Sequence, residues 1–405
     1  MSRRIIAEDT DWLVQVTDPL RLSHKCLQCI VENFEDEQIF TKVTPFQKRY
    51  ILERLSVSLP LHVTSKLVPD GVYWEKCCKH RWYVCDVTDY DNSWKQMYIE
   101  RHLGSVIELF IPGVTEPKTV LEIIPFCDNF VKKLSVSQLL PPLKEPQVEV
   151  NVEELSLDEP CMDHFDFGLV LDKLTNLEEL HVVYRIKQCG LNFERKMQEM
   201  TDGDCISLAN AVKSSKTLKV LRLPVSCIND EKCCMLMYHL MDFPILRELD
   251  LSHNMIGKIG GCAIAKLLIR SKLEVLKMYN NRIGDVGSSA IAEALSKNPP
   301  LSSLDLRMNE VGDKGGEAIF KALQKNNVLL RLHMGSNGLT SATVPVLSDM
   351  LKKNETLSSL DLSGNKLDEN WRVRERNERH AVLLHRHQLR LKPEGQGNIQ
   401  SVQNS

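Results

Sequence analysis

The sequence lacks two features that would point to a membrane or to a nucleic acid. No long run of apolar residues interrupts its 405 residues, although a membrane-spanning helix needs about 20 of them in succession. The 51 lysines and arginines are balanced by 54 aspartates and glutamates, which leaves a net charge of −3. A dedicated nucleic-acid-binding protein usually carries a strong basic excess. The sequence therefore predicts neither a membrane span nor a nucleic-acid partner.

Motifs of catalysis and of metal or cofactor binding are also missing. Gly257-Lys258 lacks the earlier glycine and the following serine or threonine of a phosphate-binding loop. The sequence contains no nucleophile elbow, no paired-histidine metal motif and no set of kinase motifs. Cys26 and Cys29 have the spacing of a zinc-binding pair, but no second pair follows at ligand spacing. We therefore expect no enzymatic activity, no metal and no cofactor.

The N-terminus and the cysteines indicate the compartment. Residues 1–12 include basic residues but no long apolar run, so we expect no signal peptide. The 13 cysteines are odd in number and scattered along the chain. We interpret them as buried free thiols in a reducing environment. The protein is therefore expected to be intracellular.

One repeated phrase dominates the second half of the chain. Its five full copies end in asparagines that are 27, 28, 28 and 28 residues apart. The phrase reads L-x-x-L-x-L-x-x-N, with leucine or methionine at the sixth position, and is the signature of leucine-rich repeats. The side chains at positions one, four and six are predicted to point into the core, and the alternation at positions four to six is typical of a short strand. The amide at position nine can pair backbone groups that a buried turn would leave unpaired. The asparagines are Asn254, Asn281, Asn309, Asn337 and Asn365.

A helix is predicted between consecutive strands, because alanine, isoleucine and leucine recur there at helical spacing. Asp285 and Asp313 occur where two of these helices should begin, a position at which the helix dipole favours an acidic side chain. One unit cannot bury its apolar side alone, whereas a stack of units can. The sequence therefore predicts an α/β leucine-rich-repeat solenoid, with parallel strands on its concave face and helices on its convex face, preceded by a mostly helical N-terminal domain.

The chain is expected to have four segments. The fourth segment, residues 371–405, contains a basic run at 371–390, which is interpreted either as a capping helix or as a contact for an acidic surface. The segments are a mostly helical domain over 1–125, irregular capping repeats over 126–217 with a proline-rich connector and an insertion at 184–203, regular repeats over 218–370, and a basic helix with a disordered tail over 371–405.

Three helices are expected in the first segment. Pro45 favours the start of one, between residues 43 and 59. The sequence 91–93 is typical of a cap for a second helix over 94–110. The apolar stripe of the third is predicted from Cys26, Cys29, Ile30 and Phe34.

The outward side chains of the predicted strands offer two interpretations. Position five carries charges whose sign alternates from strand to strand, and neighbouring strands lie about 4.8 Å apart. This row is either a charge ladder that pairs with itself or a polar strip for a protein partner. Aromatic residues and arginine dominate binding hot spots, which singles out some of the flanking residues. The candidate protein-binding residues are Arg222, Lys277, Tyr279, Arg307, Arg331, His333, Trp74 and Trp94, and the alternating row at position five is Arg222, Asp250, Lys277, Asp305, His333 and Asp361.

Two families are similar to parts of the chain. The 28-residue units resemble the ribonuclease-inhibitor type of leucine-rich repeat over about residues 177–367. Residues 59–103, with the unusual run Val72-Tyr-Trp-Glu-Lys-Cys-Cys78, resemble the N-terminal region of the T-complex-associated testis-expressed protein 1 family, the fifth subunit of the nexin–dynein regulatory complex. The chain departs from that family after Asn365, where further repeat-like sequence is replaced by the basic run.

The second resemblance implies a non-enzymatic structural subunit in the cytoskeleton of cilia and flagella. Such a subunit would contact other subunits of the complex on axonemal doublet microtubules. It would help link neighbouring doublets and transmit regulation to dynein arms, supporting ciliary and sperm motility. Cytoplasmic and axonemal localisation is expected on the same ground.

Two alternatives come from the repeat class alone. A soluble ribonuclease-inhibitor-like solenoid would wrap a single protein ligand. A GTPase-activating protein would present an arginine to the nucleotide, and Arg222, Arg282, Arg307 and Arg331 are the candidates for it.

Overall fold

The computed structural model describes residues 22–34, 40, 42–142, 163–187, 199–241 and 243–367. The chain divides into two compact units. The first comprises Met1–Val106 and Pro117–Lys132, and the second comprises Ile107–Glu116 and Lys133–Ser405. The basic run after residue 370, the tail, most of the predicted insertion and most of the proline-rich connector lie outside the described residues.

The first unit is helical, as predicted. Its described helices are α1 (Leu22–Glu32), α2 (Pro45–Arg54), α3 (Leu61–Leu67), α4 (Val72–Arg81), α5 (Trp94–Glu108, whose last two residues belong to the second unit), α6 (Lys118–Leu121) and α7 (Ile124–Cys127).

Local hydrogen bonds define the helix starts that the sequence indicated. Pro45 is the first residue of α2, and Thr44 and Gln47 form a reciprocal capping box. The Ser93 hydroxyl accepts the Gln96 N–H at 3.0 Å and caps α5. Both predicted helix starts are therefore confirmed.

The core of the first unit forms where α1, α2 and α4 bury their apolar side chains. The prediction for α1 is partly wrong, because Cys26 and Cys29 are exposed and Leu27 is buried in their place. Ile30 and Phe34 pack in the core as predicted, and Leu27 takes the place of the two cysteines. The buried core residues are Leu27, Phe34, Ile51, Leu55, Val68, Tyr73, Trp74 and Cys77.

The second unit contains an eight-stranded parallel sheet whose strands follow one another in chain order. The fourth-position leucines pair in register across it, from Leu134 to Leu360. The predicted repeat fold is therefore confirmed. The strands are β1 (Lys133–Val136), β2 (Glu179–Val182), β3 (Val220–Arg222), β4 (Glu248–Asp250), β5 (Val275–Lys277), β6 (Ser303–Asp305), β7 (Arg331–His333) and β8 (Ser359–Asp361).

Helices alternate with the strands of the second unit from β2 onward. Gly261 and Gly287 let two of them approach closely, because a methyl group on Gly261 would lie 2.9 Å from the Gly287 Cα atom. The helices are α8 (Asp202–Ser214), α9 (Asp230–Leu240), α10 (Lys258–Arg270), α11 (Gly284–Leu295), α12 (Gly312–Leu323) and α13 (Val344–Lys353). Among the described residues, no helix is long and apolar enough to cross a membrane.

The asparagine column joins each repeat to the one before it. The Asn254 side chain donates to the carbonyls of Leu223 and Leu251, both at 2.9 Å. Its oxygen accepts the N–H groups of Ser226 at 3.0 Å and Ile228 at 3.1 Å. One amide thus pairs backbone groups of two repeats that have no water available.

Ser226 stands at the asparagine position of the preceding repeat. Its hydroxyl accepts the Tyr184 N–H at 3.1 Å and donates to the Pro224 carbonyl at 3.0 Å. Serine therefore retains part of the asparagine's function with a shorter side chain.

A second asparagine column, which the sequence analysis missed, lies three residues before the last three phrases, and its buried members are Asn326 and Asn354. Asn326 donates to the Leu295 carbonyl at 2.8 Å and accepts the N–H groups of Val328 at 3.1 Å and Leu329 at 2.8 Å. Asn354 repeats the arrangement with the Leu323 carbonyl at 2.7 Å. The signal was present as the 28-residue spacing of Asn298, Asn326 and Asn354.

The cysteines are less uniformly buried than predicted. Cys77, Cys78, Cys127, Cys205 and Cys233 are buried free thiols. The prediction is wrong for Cys26 and Cys29, which are exposed, and for Cys85, Cys227, Cys234 and Cys262, which are half-buried.

The second column gives a matched test. We expect Asn326→Ala to lower the free energy of unfolding by about 2–3 kcal/mol, because it leaves buried backbone groups unpaired. Asn327→Ala, at the exposed neighbouring side chain, should change it by less than about 0.5 kcal/mol. Urea denaturation of both variants measures the difference, and equal stabilities would contradict a structural role for the second column.

Candidate protein-binding surface

The outward-pointing side chains of the sheet form a surface that we call the charged face, made of phrase positions three and five on β2 to β8. Strand register places Arg222 beside Asp250, Asp250 beside Lys277 and Lys277 beside Asp305. His333 lies between Asp305 and Asp361. The predicted adjacency of the position-five side chains is therefore confirmed.

The ion pairs of the charged face differ from those predicted. Arg222 bridges Glu179 at 2.8 Å and Glu248 at 3.0 Å. Glu248 also accepts the Lys277 ammonium at 2.8 Å. Both glutamates belong to position three, so the cations of position five pair diagonally with position three. The sequence signal for these ion pairs was the occurrence of both glutamates at position three, next to the position-five residues.

The aspartates of position five have a different role from the one inferred. Asp250 accepts the Ser252 N–H at 2.9 Å, and Asp361 accepts the Ser363 N–H at 3.0 Å. Asp305 accepts the Arg307 N–H in the same way at 3.1 Å. An aspartate side chain commonly bonds the backbone two residues further on. These carboxylates therefore hold the turns that end β4, β6 and β8.

Two carboxyl groups of the charged face have lowered pKa values. Burial alone would raise the pKa of Glu248, but hydrogen bonds and charges from Lys277 and Arg222 outweigh it and hold the pKa below 4.5. The His333 ring is the main cause of a strongly lowered pKa at Asp361, and the Ser363 N–H contributes. Both carboxyl groups are therefore ionised at neutral pH.

Tyr279 and His253 form a short aromatic row where their strands end. Its ring packs edge-on against His253, with 4.6 Å between centroids. The Arg307 guanidinium lies 5.0 Å from the same ring and also bonds Asp305 through Nε at 3.0 Å. His253 was not among the predicted site residues, because it lies one position later in its phrase. The row presents a half-buried aromatic ring with fixed neighbours.

Arg331 is the least engaged of the predicted cations. It is exposed, and its Nε contacts the Ser303 hydroxyl at 3.4 Å. His333 lies 3.8 Å from the Asp361 carboxylate. Arg331 therefore offers a charge to solvent, whereas Arg222 and Lys277 are largely used within the sheet.

The two predicted tryptophans lie in the first unit and are not equivalent. Trp74 is 1% exposed and donates its indole N–H to the Val68 carbonyl at 3.3 Å. Its proposed contact with a partner is thereby corrected to a role in the core. Trp94 is half-buried, with the Lys79 ammonium 5.7 Å from its ring.

A buried polar pair in the second unit was also missed. His164 Nδ1 lies 2.8 Å from an Asp204 carboxylate oxygen, and both side chains are 2% exposed. Asp204 also completes a capping box with Thr201 at the start of α8. Within the described ranges, no group of three histidine, cysteine, aspartate or glutamate residues is arranged to hold a metal ion. The pair thus connects the start of α8 to the segment before it.

The comparisons with known proteins agree with the repeats. The family described as Leucine Rich repeat matches residues 244–265, 297–320 and 353–369. Among solved structures, an internalin from Listeria monocytogenes aligns over 50% of this chain and 59% of its own at 20% identity, with a TM-score of 0.28.

Curated relatives share the name dynein regulatory complex subunit 5. The Homo sapiens protein is 42% identical over 271 residues, which cover 65% of this chain and 54% of the relative. The Mus musculus protein is 42% identical over 270 residues, with the same coverage. The Chlamydomonas reinhardtii protein is 28% identical over 208 residues, or 51% of this chain and 48% of the relative. The chain thus spans about half the length of the curated relatives it matches.

Acid titration tests the network around Glu248. A carboxyl group whose pKa is lower in the folded than in the unfolded state stabilises the fold at high pH, and this stabilisation is lost as the pH falls through the folded value. We therefore expect Glu248→Gln to lose less stability than the unmodified protein when the pH is taken below 4.5.

Chemical denaturation at several pH values measures this difference. At neutral pH, Glu248→Gln should also lower the free energy of unfolding by about 1–3 kcal/mol. Glu293→Gln is the matched control, because its carboxylate is 75% exposed and pairs with Lys297 on the same helix. An identical acid response in the unmodified protein and Glu248→Gln would refute the assigned pairing.

Proposed function

The chain belongs to the dynein regulatory complex subunit 5 family, and from this relationship we propose that it is a non-enzymatic structural subunit of the nexin–dynein regulatory complex. In this role it helps to link neighbouring outer doublets of the axoneme and supports the regulation of dynein. The process served is ciliary and flagellar motility, including that of sperm. Its direct partners are other subunits of the complex, through which it acts on doublet microtubules and dynein arms.

The observation that carries the proposal is the 42% identity over 272 residues with the Macaca fascicularis relative. An identity of this level over 272 residues is more specific than the repeat pattern, which many unrelated binding proteins share. The complex is inferred from the name of this relative. A stack of repeats offers the extended surface that a structural subunit needs.

The contacts of the candidate arginines favour a scaffold over a GTPase-activating protein. An arginine that enters a nucleotide site must be free to reach the transferred phosphate. Arg222 is bound by two glutamates, and Arg307 is bound by Asp305 and packs on Tyr279. These two are therefore poor candidates for that role.

Axoneme fractionation tests the proposal. We expect the tagged chain, expressed in ciliated cells, to remain with axonemes through a high-salt wash and to co-purify with other subunits of the complex. An unrelated leucine-rich-repeat protein with the same tag is the control for nonspecific retention. Recovery of the chain only in the detergent-soluble fraction, or in a stoichiometric complex with one soluble protein, would overturn it.

Cross-linking of isolated axonemes tests which unit makes the contacts. Lys79 and Lys118 are useful reporters in the first unit, because their side chains are 62% and 74% exposed. We expect both to form cross-links to other subunits of the complex. Lys321, which is 60% exposed on α12, is the matched reporter in the repeats. Cross-links confined to the repeats would contradict a docking role for the first unit.

A further inference from the structure

A row of aromatic rings leads from the core of the first unit to its surface. The buried Trp74 ring lies 5.2 Å from Tyr98, and Tyr98 lies 5.6 Å from Trp82. Trp82 directly follows α4 and is half-buried. Since each ring is held by the next, the outer indole is fixed in place before any partner binds.

Two arginines lie beside this outer indole. The Arg81 and Arg101 guanidinium carbons are 5.2 Å and 5.0 Å from the centre of the Trp82 ring. Arg101 donates to the Val84 carbonyl at 2.9 Å. Neither arginine has a carboxylate partner among the residues that the structure describes. Two positive charges are therefore held together on an aromatic platform without compensation.

His102 positions one of these arginines without neutralising it. Arg81 Nη1 lies 2.6 Å from His102 Nδ1. Burial, and then the charge of Arg81, lower the pKa of His102 to about 4. The imidazole is therefore neutral at physiological pH, and its Nδ1 accepts the hydrogen bond. Arg81 is thus oriented while its full charge remains available to a ligand.

A cavity lies beside His102, which bonds Arg81, and beside Tyr98, which packs on Trp82. It has a volume of about 300 Å³, and Tyr98 and His102 line it together with Trp74 and Leu59. A volume of this size accepts one apolar side chain. The two residues after Trp82 add exposed apolar surface, since Tyr83 is fully exposed and Val84 is 67% exposed, and the Val84 carbonyl is the one that Arg101 binds. We call the set Arg81, Trp82, Tyr83, Arg101 and His102 the Trp82 surface.

We propose that the Trp82 surface binds an acidic segment of a partner protein, whose carboxylates pair with Arg81 and Arg101 and whose neighbouring apolar side chain enters the cavity. Guanidinium groups pair with carboxylates through two parallel hydrogen bonds. Stacking on the indole orders both arginines in advance, which reduces the entropy lost on binding. The combination of tryptophan, tyrosine and arginine is also the composition of binding hot spots.

An acidic peptide fits this surface better than a nucleic acid does. A single-stranded nucleic acid needs a basic groove that follows several successive phosphates, with rings on which successive bases stack. The Trp82 surface has two cations close together and one cavity beside them. This arrangement suits a pair of carboxylates and one apolar side chain. The inference goes beyond the proposed function and does not depend on it, since it follows from the contacts of the first unit alone.

A labelled peptide tests the proposal with the purified full chain. The probe is a fluorescein-labelled peptide with a central phenylalanine flanked on each side by aspartate and glutamate, and fluorescence anisotropy reports its binding. We expect Arg81→Gln and Arg101→Gln each to weaken binding about tenfold, which corresponds to about 1.4 kcal/mol. Arg49→Gln is the matched control, because Arg49 is exposed and pairs with Glu53, and it should change the affinity less than twofold, a step of roughly 0.4 kcal/mol.

Further changes test the apolar part of the interaction separately from the two arginines. Replacing the peptide's phenylalanine by serine should weaken binding because the cavity is left unfilled. Tyr83→Ser should also weaken it, and this variant keeps the fold because Tyr83 is fully exposed. Circular dichroism confirms the fold of each variant.

Three results would overturn the proposal. The first is no binding of the peptide at about 1 mM, the weakest affinity of interest. The second is an equal loss of affinity in Arg49→Gln, which would indicate nonspecific attraction. The third is tighter binding of a labelled oligothymidine than of the peptide, which would assign the surface to nucleic acid.

Discussion

Pairing of buried backbone groups where each strand ends is the constraint on which the repeat unit depends. Every repeat must turn its chain away from the sheet inside a packed stack, and the turn leaves carbonyl and N–H groups without water. Asn254 and its equivalents bind such groups in their own repeat and in the one before. Asn326 and Asn354 do the same after the helices. Stacking and turning are therefore coupled, because a repeat completes its hydrogen bonds only when its neighbour is in place.

The same stacking determines which side chains remain available for recognition. In-register strands bring Arg222, Glu248 and Lys277 close enough to pair, so these charges mainly hold adjacent strands together. Arg331 is exposed, and the Tyr279 ring is half-buried beside His253. A scaffold whose charges are largely paired internally recognises partners through a few such residues. This fits a structural subunit better than a protein that attracts a highly charged ligand.

The first unit uses a different physical device. Its core is built around aromatic rings, and the row from Trp74 through Tyr98 continues outward to Trp82. Burial within this cluster keeps His102 neutral and lets it orient Arg81. The residues that stabilise the unit thus also prepare a basic surface. The proposed recognition residues are therefore divided between the Trp82 surface of the helical unit and a repeat unit whose charges are mostly paired.

The sequence alone determined the repeats, the order and register of the strands and the starts of α2 and α5. These features depend on spacing along the chain and on local caps, and both can be read from one segment at a time. Tertiary structure decided the rest. Glu179 and Glu248 became the partners of Arg222 because a bridging side chain reaches diagonally between strands. Trp74 became core, and Cys26 became exposed, because helix packing selects which face of a helix is covered. The arginines around Trp82 come from two helices whose packing brings them to one ring. Spacing along the chain carries no information about such contacts, since each depends on residues that only folding brings together.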